Sequence, residues 1–192
     1  YFERAYGLST AEAGARLGTI YFWAGTVATI ATSAILALPQ MQDPKWIARL
    51  LAVIVAASTI PSFLIYWTHS LTVATAMLWI VVPAIYLYVG PTMALLLNFM
   101  PAPMRAQGMA ISLLTANVAN LIIAPTVVGW ISDMLTGPLG GNAASLRYAL
   151  LALSLTGFWA AYHYWTSVRS YAVDDLRVRT FGMDAAPKPA ET

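Results

Sequence analysis

The sequence predicts an all-α membrane protein, a polytopic helical bundle of about five transmembrane helices. Of its 192 residues, 59% are hydrophobic and 9% are charged, whereas about 25% of the residues in an average soluble domain are charged. A soluble fold this apolar would expose large hydrophobic patches to water, which soluble monomers rarely do. Five stretches lack Asp, Glu, Lys and Arg, and each is close to the ~20 residues that a spanning helix needs. The lipid bilayer is therefore the first expected partner.

The predicted spans are residues 17–38, 50–67, 71–97, 108–131 and 148–168. Ser9 and Glu12 have the spacing of a capping box, which predicts that the first helix begins just after Ser9. Asp43 followed by Pro44 predicts the start of the second helix, as a capping carboxylate with proline in the first helical position. The third and fourth spans contain interior prolines, so bends are expected there, and neighbouring helices make such bends tolerable in membranes.

Residues 1–168 form the predicted transmembrane domain, and residues 169–192 form a polar cytoplasmic tail with a disordered Ala- and Pro-rich end at 185–192. Connectors 39–49 and 99–107 lie on the side of the tail. Seven of the ten Lys and Arg residues fall on that side and three on the other. Because short cytoplasmic loops carry the excess of positive charge, the tail is predicted to be inside and Tyr1 outside. The expected location is the plasma (inner) membrane, as a multi-pass protein.

Several function classes lose support from the sequence. There is no cysteine, so disulfides, thiol catalysis and cysteine-based metal sites are excluded. The motifs H-E-x-x-H, G-x-S-x-G, G-x-G-x-x-G and the phosphate-binding loop are absent, so we expect no enzyme, no metal and no cofactor. The net charge is only +2 and no basic stripe accompanies it, which argues against a nucleic-acid partner.

Uncharged polar and aromatic residues recur at helical spacing inside the spans, and they are the candidates for solute binding. An amide in hydrocarbon needs a partner, so the two Asn side chains either bond to another helix or line a wet cavity. The aromatic candidates line a cavity or, alternatively, belong to the boundary belt or to packing. Small residues such as Gly14 and Gly18 are predicted to let helices pack closely. The candidate substrate-binding residues are Tyr21, Thr29, Trp79, Tyr86, Asn117 and Asn120.

Three residues at or near helix ends are candidates for gating. Gly90 and Pro91 provide a bend point for rocking of one bundle against another. Arg105 is expected to cap carbonyls at the end of the preceding helix, where the helix dipole favours a cation. Its alternative role is only to add to the positive charge of the inner side. His69, in a short outer connector, is expected to be a solvated turn residue. Because no acid lies inside a predicted span, any proton-coupling carboxylate is expected elsewhere.

Particular stretches resemble a known family. Gly90-Pro91-Thr92-Met93-Ala94, Pro101-Ala102-Pro103-Met104-Arg105-Ala106 and Gly129-Trp130-Ile131-Ser132-Asp133 resemble the tenth and eleventh helices of a Major Facilitator Superfamily transporter. The Spinster-like subgroup is the most similar. Further stretches resemble the loops around the eighth helix and the entry to the twelfth; they are Ala5-Tyr6-Gly7-Leu8-Ser9, Asp43-Pro44-Lys45-Trp46 and Ser145-Leu146-Arg147-Tyr148-Ala149-Leu150.

The resemblance implies a partial Major Facilitator fold, helices eight to twelve, with the N-terminal half of the same transporter as a partner. It also implies secondary active transport by alternating access of a small organic or lipid-like solute. The chain departs from the family where an Asp-Arg pair is usual, since Ala37 and Leu38 stand there, and where glycines are usual, since Asn120 stands there. The alternatives are a helical membrane scaffold or accessory subunit, and an intramembrane lipid enzyme, which would need a buried reactive group.

Overall fold

The computed structural model describes residues 1–139 and 141–184, and within these residues every regular element is helical. The prediction of an all-α fold is confirmed. Short helical turns at Pro39–Gln42 and Ala102–Met104 occupy two of the connectors. The α-helices in chain order are α1 (Phe2–Tyr6), α2 (Thr10–Leu36), α3 (Pro44–Trp67), α4 (Leu71–Asn98), α5 (Arg105–Val118), α6 (Ala124–Leu139), α7 (Asn142–Ser154) and α8 (Thr156–Asp184).

The first two long helices begin where their capping residues predict. The Ser9 hydroxyl accepts from the Glu12 amide at 3.3 Å, and the Glu12 carboxylate accepts from the Ser9 amide at 2.9 Å. Asp43 accepts from the Lys45 amide at 2.9 Å, with Pro44 as the first residue of α3. Helix α3 thus begins before the predicted span at residue 50, because its first turns carry the charged residues that an apolar stretch leaves out.

The fourth predicted span is one long helix with a wide turn inside it. Helices α5 and α6 are joined by a π-helical turn, Ala119–Ile123, in which the amide of Ala124 donates to the carbonyl of Ala119. Pro125 follows this turn; it has no N–H, and in a regular α-helix its ring would clash with the carbonyl four residues earlier. The wider turn is the local adjustment that lets the helix continue through the proline.

Within the described residues, four helices are long and apolar enough to cross a membrane, namely Thr10–Leu36, Pro44–Trp67, Leu71–Asn98 and Ala102–Pro138. The predicted fifth span is divided, since α7 ends at Ser154 and α8 begins at Thr156. The hydroxyls of Ser154 and Thr156 donate to backbone carbonyls of the preceding turn at 2.7 Å. Such bonds compete with the helical ladder, and Gly157 weakens the helix further.

The polar tail is helical over much of its length, because α8 continues to Asp184. The helix thus extends past residue 168, where the predicted apolar span ended, into the predicted tail. The end of the tail, residues 185–192, was expected to be disordered and lies outside the described residues.

Helix α3 is the centre of the packing, since it contacts α4, α7 and α8. Helix α2 packs on α4, and α6 packs on α7. One buried cluster joins Ile47, Ala48 and Leu51 of α3 to Leu95 of α4. A second joins α2 to α4 through Ile20, Ala24 and Val82. The bundle is therefore arranged in the order α2, α4, α3, α7 with α8, and α6.

Of the four long apolar helices, the α5–α6 helix is the least buried by other parts of the described chain. None of its most apolar 18-residue window is buried by the described residues. Its α6 end is held to α7 by hydroxyl contacts, since the oxygens of Ser132 and Thr136 each lie 3.2 Å from the Ser145 oxygen. Most of the remaining length exposes large apolar side chains, including Leu114 and Leu121.

Candidate functional site

Tyr86 of α4 packs tightly against Gly25 of α2. A Cβ atom placed on Gly25 would lie 2.8 Å from Cε2 of the Tyr86 ring, so only glycine leaves room for this contact. Glycine packing between helices is thus present, but at Gly25. The prediction for Gly14 and Gly18 is wrong for the described residues, since a Cβ atom on either meets no atom within 4 Å.

Three of the predicted binding residues meet beside this contact. Tyr21, Thr29 and Tyr86 line a cavity of about 380 Å³ together with Phe22, Gly25, Thr26 and Ile30. The Thr29 hydroxyl donates to the Gly25 carbonyl at 2.8 Å, which leaves its oxygen lone pairs as acceptors. The phenol hydroxyls of Tyr21 and Tyr86 form no hydrogen bond with the described residues. The cavity therefore offers two unused hydroxyls and an acceptor, and no charge.

Trp79 lies in a second cavity along the same pair of helices. This cavity has a volume of about 440 Å³ and is lined also by Glu12, Ala15, Arg16, Thr19, Ile20 and Thr75. Trp79 and Tyr86 are seven residues apart on α4, hence on one face and about 10 Å apart along its axis. The two cavities share no lining residue, but both are lined by residues of α2 and α4, and together they are called here the α2–α4 groove.

Arg16 lines the α2–α4 groove, although the sequence did not predict it as a binding residue. Its guanidinium lies 3.4 Å from the Thr75 hydroxyl, and it forms no ion pair with the described acids. Glu12, one turn away on α2, bonds to Ser9 instead. The signal in the sequence was the position of Arg16, the charged residue directly before the first apolar span.

Asn117 and Asn120 do not join the α2–α4 groove. Asn117 is on α5 and Asn120 is in the π-helical turn, both are exposed, and neither side chain forms a hydrogen bond with the described residues. The two predicted roles were contact with another helix and lining of a cavity. Neither Asn side chain has either role among the described residues. The turn also adds a residue between them and α6, so the regular helical face predicted through Ala124 is interrupted.

The gating candidates do not line the α2–α4 groove. Gly90 and Pro91 lie on α4 beyond Tyr86, and Arg105 is the first residue of α5. Helix α4 continues without a break through Gly90 and Pro91, and Pro91 is buried. Their role as a bend point stays a prediction. Arg105 donates from Nε to the Met100 carbonyl at 3.2 Å. Because α4 ends at Asn98, Arg105 caps a carbonyl of the connector, not the last turn of the helix as predicted.

The opposite end of the bundle holds a cluster that was not predicted as a site. The guanidinium of Arg147 on α7 contacts Nε2 of His69 in the connector between α3 and α4, so His69 is not simply solvated. The Tyr6 hydroxyl donates to the Thr68 carbonyl at 3.1 Å. Burial, with Tyr1 beside it, raises the pKa of Tyr6 to about 12, so this hydroxyl stays protonated at neutral pH.

The comparisons with known proteins do not identify a family for this chain. No protein-family model matches the chain, and no curated protein matches it. The similarity to Major Facilitator transporters therefore stays a prediction from the motifs. Within the described residues, no group of three or more His, Cys, Asp or Glu side chains could hold a metal ion.

Proposed function

We propose that the chain is the C-terminal part of a secondary active transporter of the Major Facilitator type, with the Spinster-like subgroup as the most similar. It moves a small organic or lipid-like solute by alternating access. The observation that carries this proposal is the α2–α4 groove, in which Tyr21, Thr29 and Tyr86 line a cavity between two helices that are apolar enough to cross a membrane. Uncharged polar groups at that depth are costly unless they bind something.

The two parts of the α2–α4 groove suit an amphiphile. One part carries Glu12 and Arg16 beside Trp79, and these charges fit a polar headgroup. The other carries aromatic rings, Ile30 and unused hydroxyls, which fit an apolar body with few polar atoms. A lipid-like solute therefore fits better than a multiply charged one.

The test is uptake by the intact protein reconstituted in liposomes under an imposed proton gradient. The probes are a fluorescent lysophospholipid and radiolabelled sphingosine. The variant Tyr86→Phe keeps the ring and removes one hydroxyl, and we expect about fivefold slower uptake, because a lost hydrogen bond is worth about 1 kcal/mol. Tyr88→Phe is the matched control, since Tyr88 packs against the core cluster between α3 and α4 and lines neither part of the groove.

The possible results distinguish a failure of the proposed transport from a failure of the proposed binding site. Absence of uptake of every amphiphile by the wild-type protein would reject the proposed transport. Uptake that is unchanged in Tyr86→Phe, at equal protein abundance, would keep the transport and reject this groove as the binding site. Uptake that falls equally in Tyr86→Phe and Tyr88→Phe would point to a general loss of structure.

A membrane scaffold or accessory subunit is the second candidate, and the exposed α5–α6 helix favours it. Asn117 and Asn120 lie on this helix without partners among the described residues, and exposed amides in hydrocarbon favour a covering helix. Cysteine placed at Asn117 should then form crosslinks to a second polypeptide, while cysteine at the exposed Val53 of α3 should not. Crosslinking without any uptake would support the scaffold over the transporter.

A further inference from the structure

We propose that the cavity beside His69 and Arg147 binds a phosphate group, presented by the headgroup of an anionic phospholipid. This site lies at the end of the bundle where α3 ends and α7 begins, and it is separate from the α2–α4 groove. It does not depend on the proposed transport. The cavity has a volume of about 290 Å³, and its lining residues are Trp67, His69, Ala144, Arg147, Tyr148 and Leu151.

The charge in the cavity is positive and has no counter-charge. None of the six lining residues is acidic, and Arg147 forms no ion pair with an acid in the described part of the chain. Its contact with Nε2 of His69 uses one of the five N–H donors of the guanidinium. The rest of the guanidinium fork is available, and that fork matches the oxygens of a phosphate group.

The first turn of α7 adds to this positive character. The helix begins after Gly141 with no side-chain cap, so the first backbone amides lack intrahelical partners. Ala144, in that turn, lines the cavity. An uncapped helix N-terminus favours an anion, and here it adjoins Arg147. Two independent features of α7 therefore favour the same ligand charge.

The flanks of the cavity favour a lipid over a free ion. Trp67 is 59% exposed and Tyr148 is 48% exposed, and both residue types prefer the headgroup depth of a bilayer. Leu151, one turn beyond Arg147 on α7, extends the wall with apolar surface. A ligand with an anionic phosphate and an adjoining apolar chain contacts both kinds of surface, whereas inorganic phosphate contacts only the polar part.

The experiment measures binding of short-chain lipids to the purified intact protein in detergent by calorimetric titration. The three probes are dihexanoyl phosphatidylglycerol, dihexanoyl phosphatidylcholine and inorganic phosphate. We expect phosphatidylglycerol to bind most tightly and Arg147→Gln to weaken its binding by about tenfold or more, as for a lost charged hydrogen bond. Arg4→Gln removes the same charge from an exposed residue of α1 that does not line the cavity, and it should bind like the wild type.

A second variant keeps the proposal testable if Arg147→Gln does not fold. Ala144→Glu places a carboxylate in the first turn of α7, where a negative charge stabilises the helix, and it leaves His69 and Arg147 intact. We expect it to remove phosphatidylglycerol binding by occupying Arg147. Equal binding of phosphatidylcholine and phosphatidylglycerol, or wild-type binding by Ala144→Glu, would overturn the proposal. Inorganic phosphate that binds as tightly as phosphatidylglycerol would uphold the phosphate site and reject the lipid as its source.

Discussion

At the scale of single residues, the contact between Gly25 and Tyr86 decides the shape of the groove. The ring of Tyr86 occupies the space that a side chain at position 25 of α2 would take. Its hydroxyl, with no partner among the described residues, is thereby held beside Tyr21 and Thr29. Glycine here is needed for space, since its backbone is an ordinary part of α2.

We expect Gly25→Ala to destabilise the protein by about 1–3 kcal/mol, because the new methyl group displaces the Tyr86 ring from a close-packed contact. The thermal unfolding midpoint in detergent is the measurement. Gly14→Ala on the same helix is the matched control, since its Cβ atom meets nothing within 4 Å. Alanine there should be neutral or slightly stabilising through its better helix propensity. Equal midpoints for the two variants would contradict the steric role of Gly25.

Part of the candidate site is predictable from helical spacing alone. Tyr21 and Thr29 are eight residues apart on one helix and so share a face, which is how they came to be candidates. That this face meets Tyr86 depends on the packing of α2 against α4, and a single sequence carries no direct signal for that contact. Arg16 was not predicted as a binding residue for a related reason, since its bond is to Thr75 on α4, a residue far away in the chain.

At the scale of helices, the division between α7 and α8 is the main departure from the predicted spans. An apolar stretch predicts burial in a membrane, but it does not show whether the backbone continues as one helix. The hydroxyls of Ser154 and Thr156 and the glycine that follows interrupt the ladder at Leu155. Cap signals were more informative, because Ser9 and Asp43 act on amides within three residues of themselves. Such local interactions can be predicted from short patterns.

The glycine of this break also sets the contact between α8 and α3. A Cβ atom on Gly157 would overlap the side chain of Thr59, which is buried on α3. We expect Gly157→Ala to lower the unfolding free energy by about 1–3 kcal/mol, measured as a lower thermal midpoint in detergent. Gly129→Ala on α6, where a Cβ atom meets nothing within 4 Å, should not have this effect.

A double variant tests the cause of that loss. Thr59→Ala removes the side-chain atoms that a methyl group on Gly157 would meet. The combination of Thr59→Ala with Gly157→Ala should therefore be less destabilised than the sum of the single variants. Additive losses would mean that Gly157 acts through the local conformation of α8 and not through its contact with α3.

At the scale of the whole molecule, the Lys and Arg residues outside the tail are divided between the two ends of the bundle. One end gathers Lys45, Arg49 and Arg105 close to connectors, and the other gathers Arg4, Arg16 and Arg147. The contacts agree with this division, since Tyr6 bonds to Thr68 and Arg147 contacts His69 at the second end. Together with the tail, the first end holds the excess of Lys and Arg that predicts a cytoplasmic position.

Labelling of single cysteines in a cysteine-free background tests this orientation. We expect a membrane-impermeant maleimide to label Glu3→Cys on intact cells, and to label Gln40→Cys only after the membrane is permeabilised. Both positions are exposed and lie at opposite ends of α2. The reverse pattern would invert the predicted topology, and labelling of both on intact cells would argue against a membrane barrier between them.

The π-helical turn before Pro125 has a consequence for how related chains are compared. A turn that holds one residue more than an α-helical turn is equivalent to an insertion of a single residue in the middle of a helix. A relative without the turn would be one residue shorter between Val118 and Ala124. Its positions after that point would match this chain only if a gap were placed inside the helix, where alignments normally forbid one. Without the gap, every residue of α6 would be paired with a neighbour that points about 100° away.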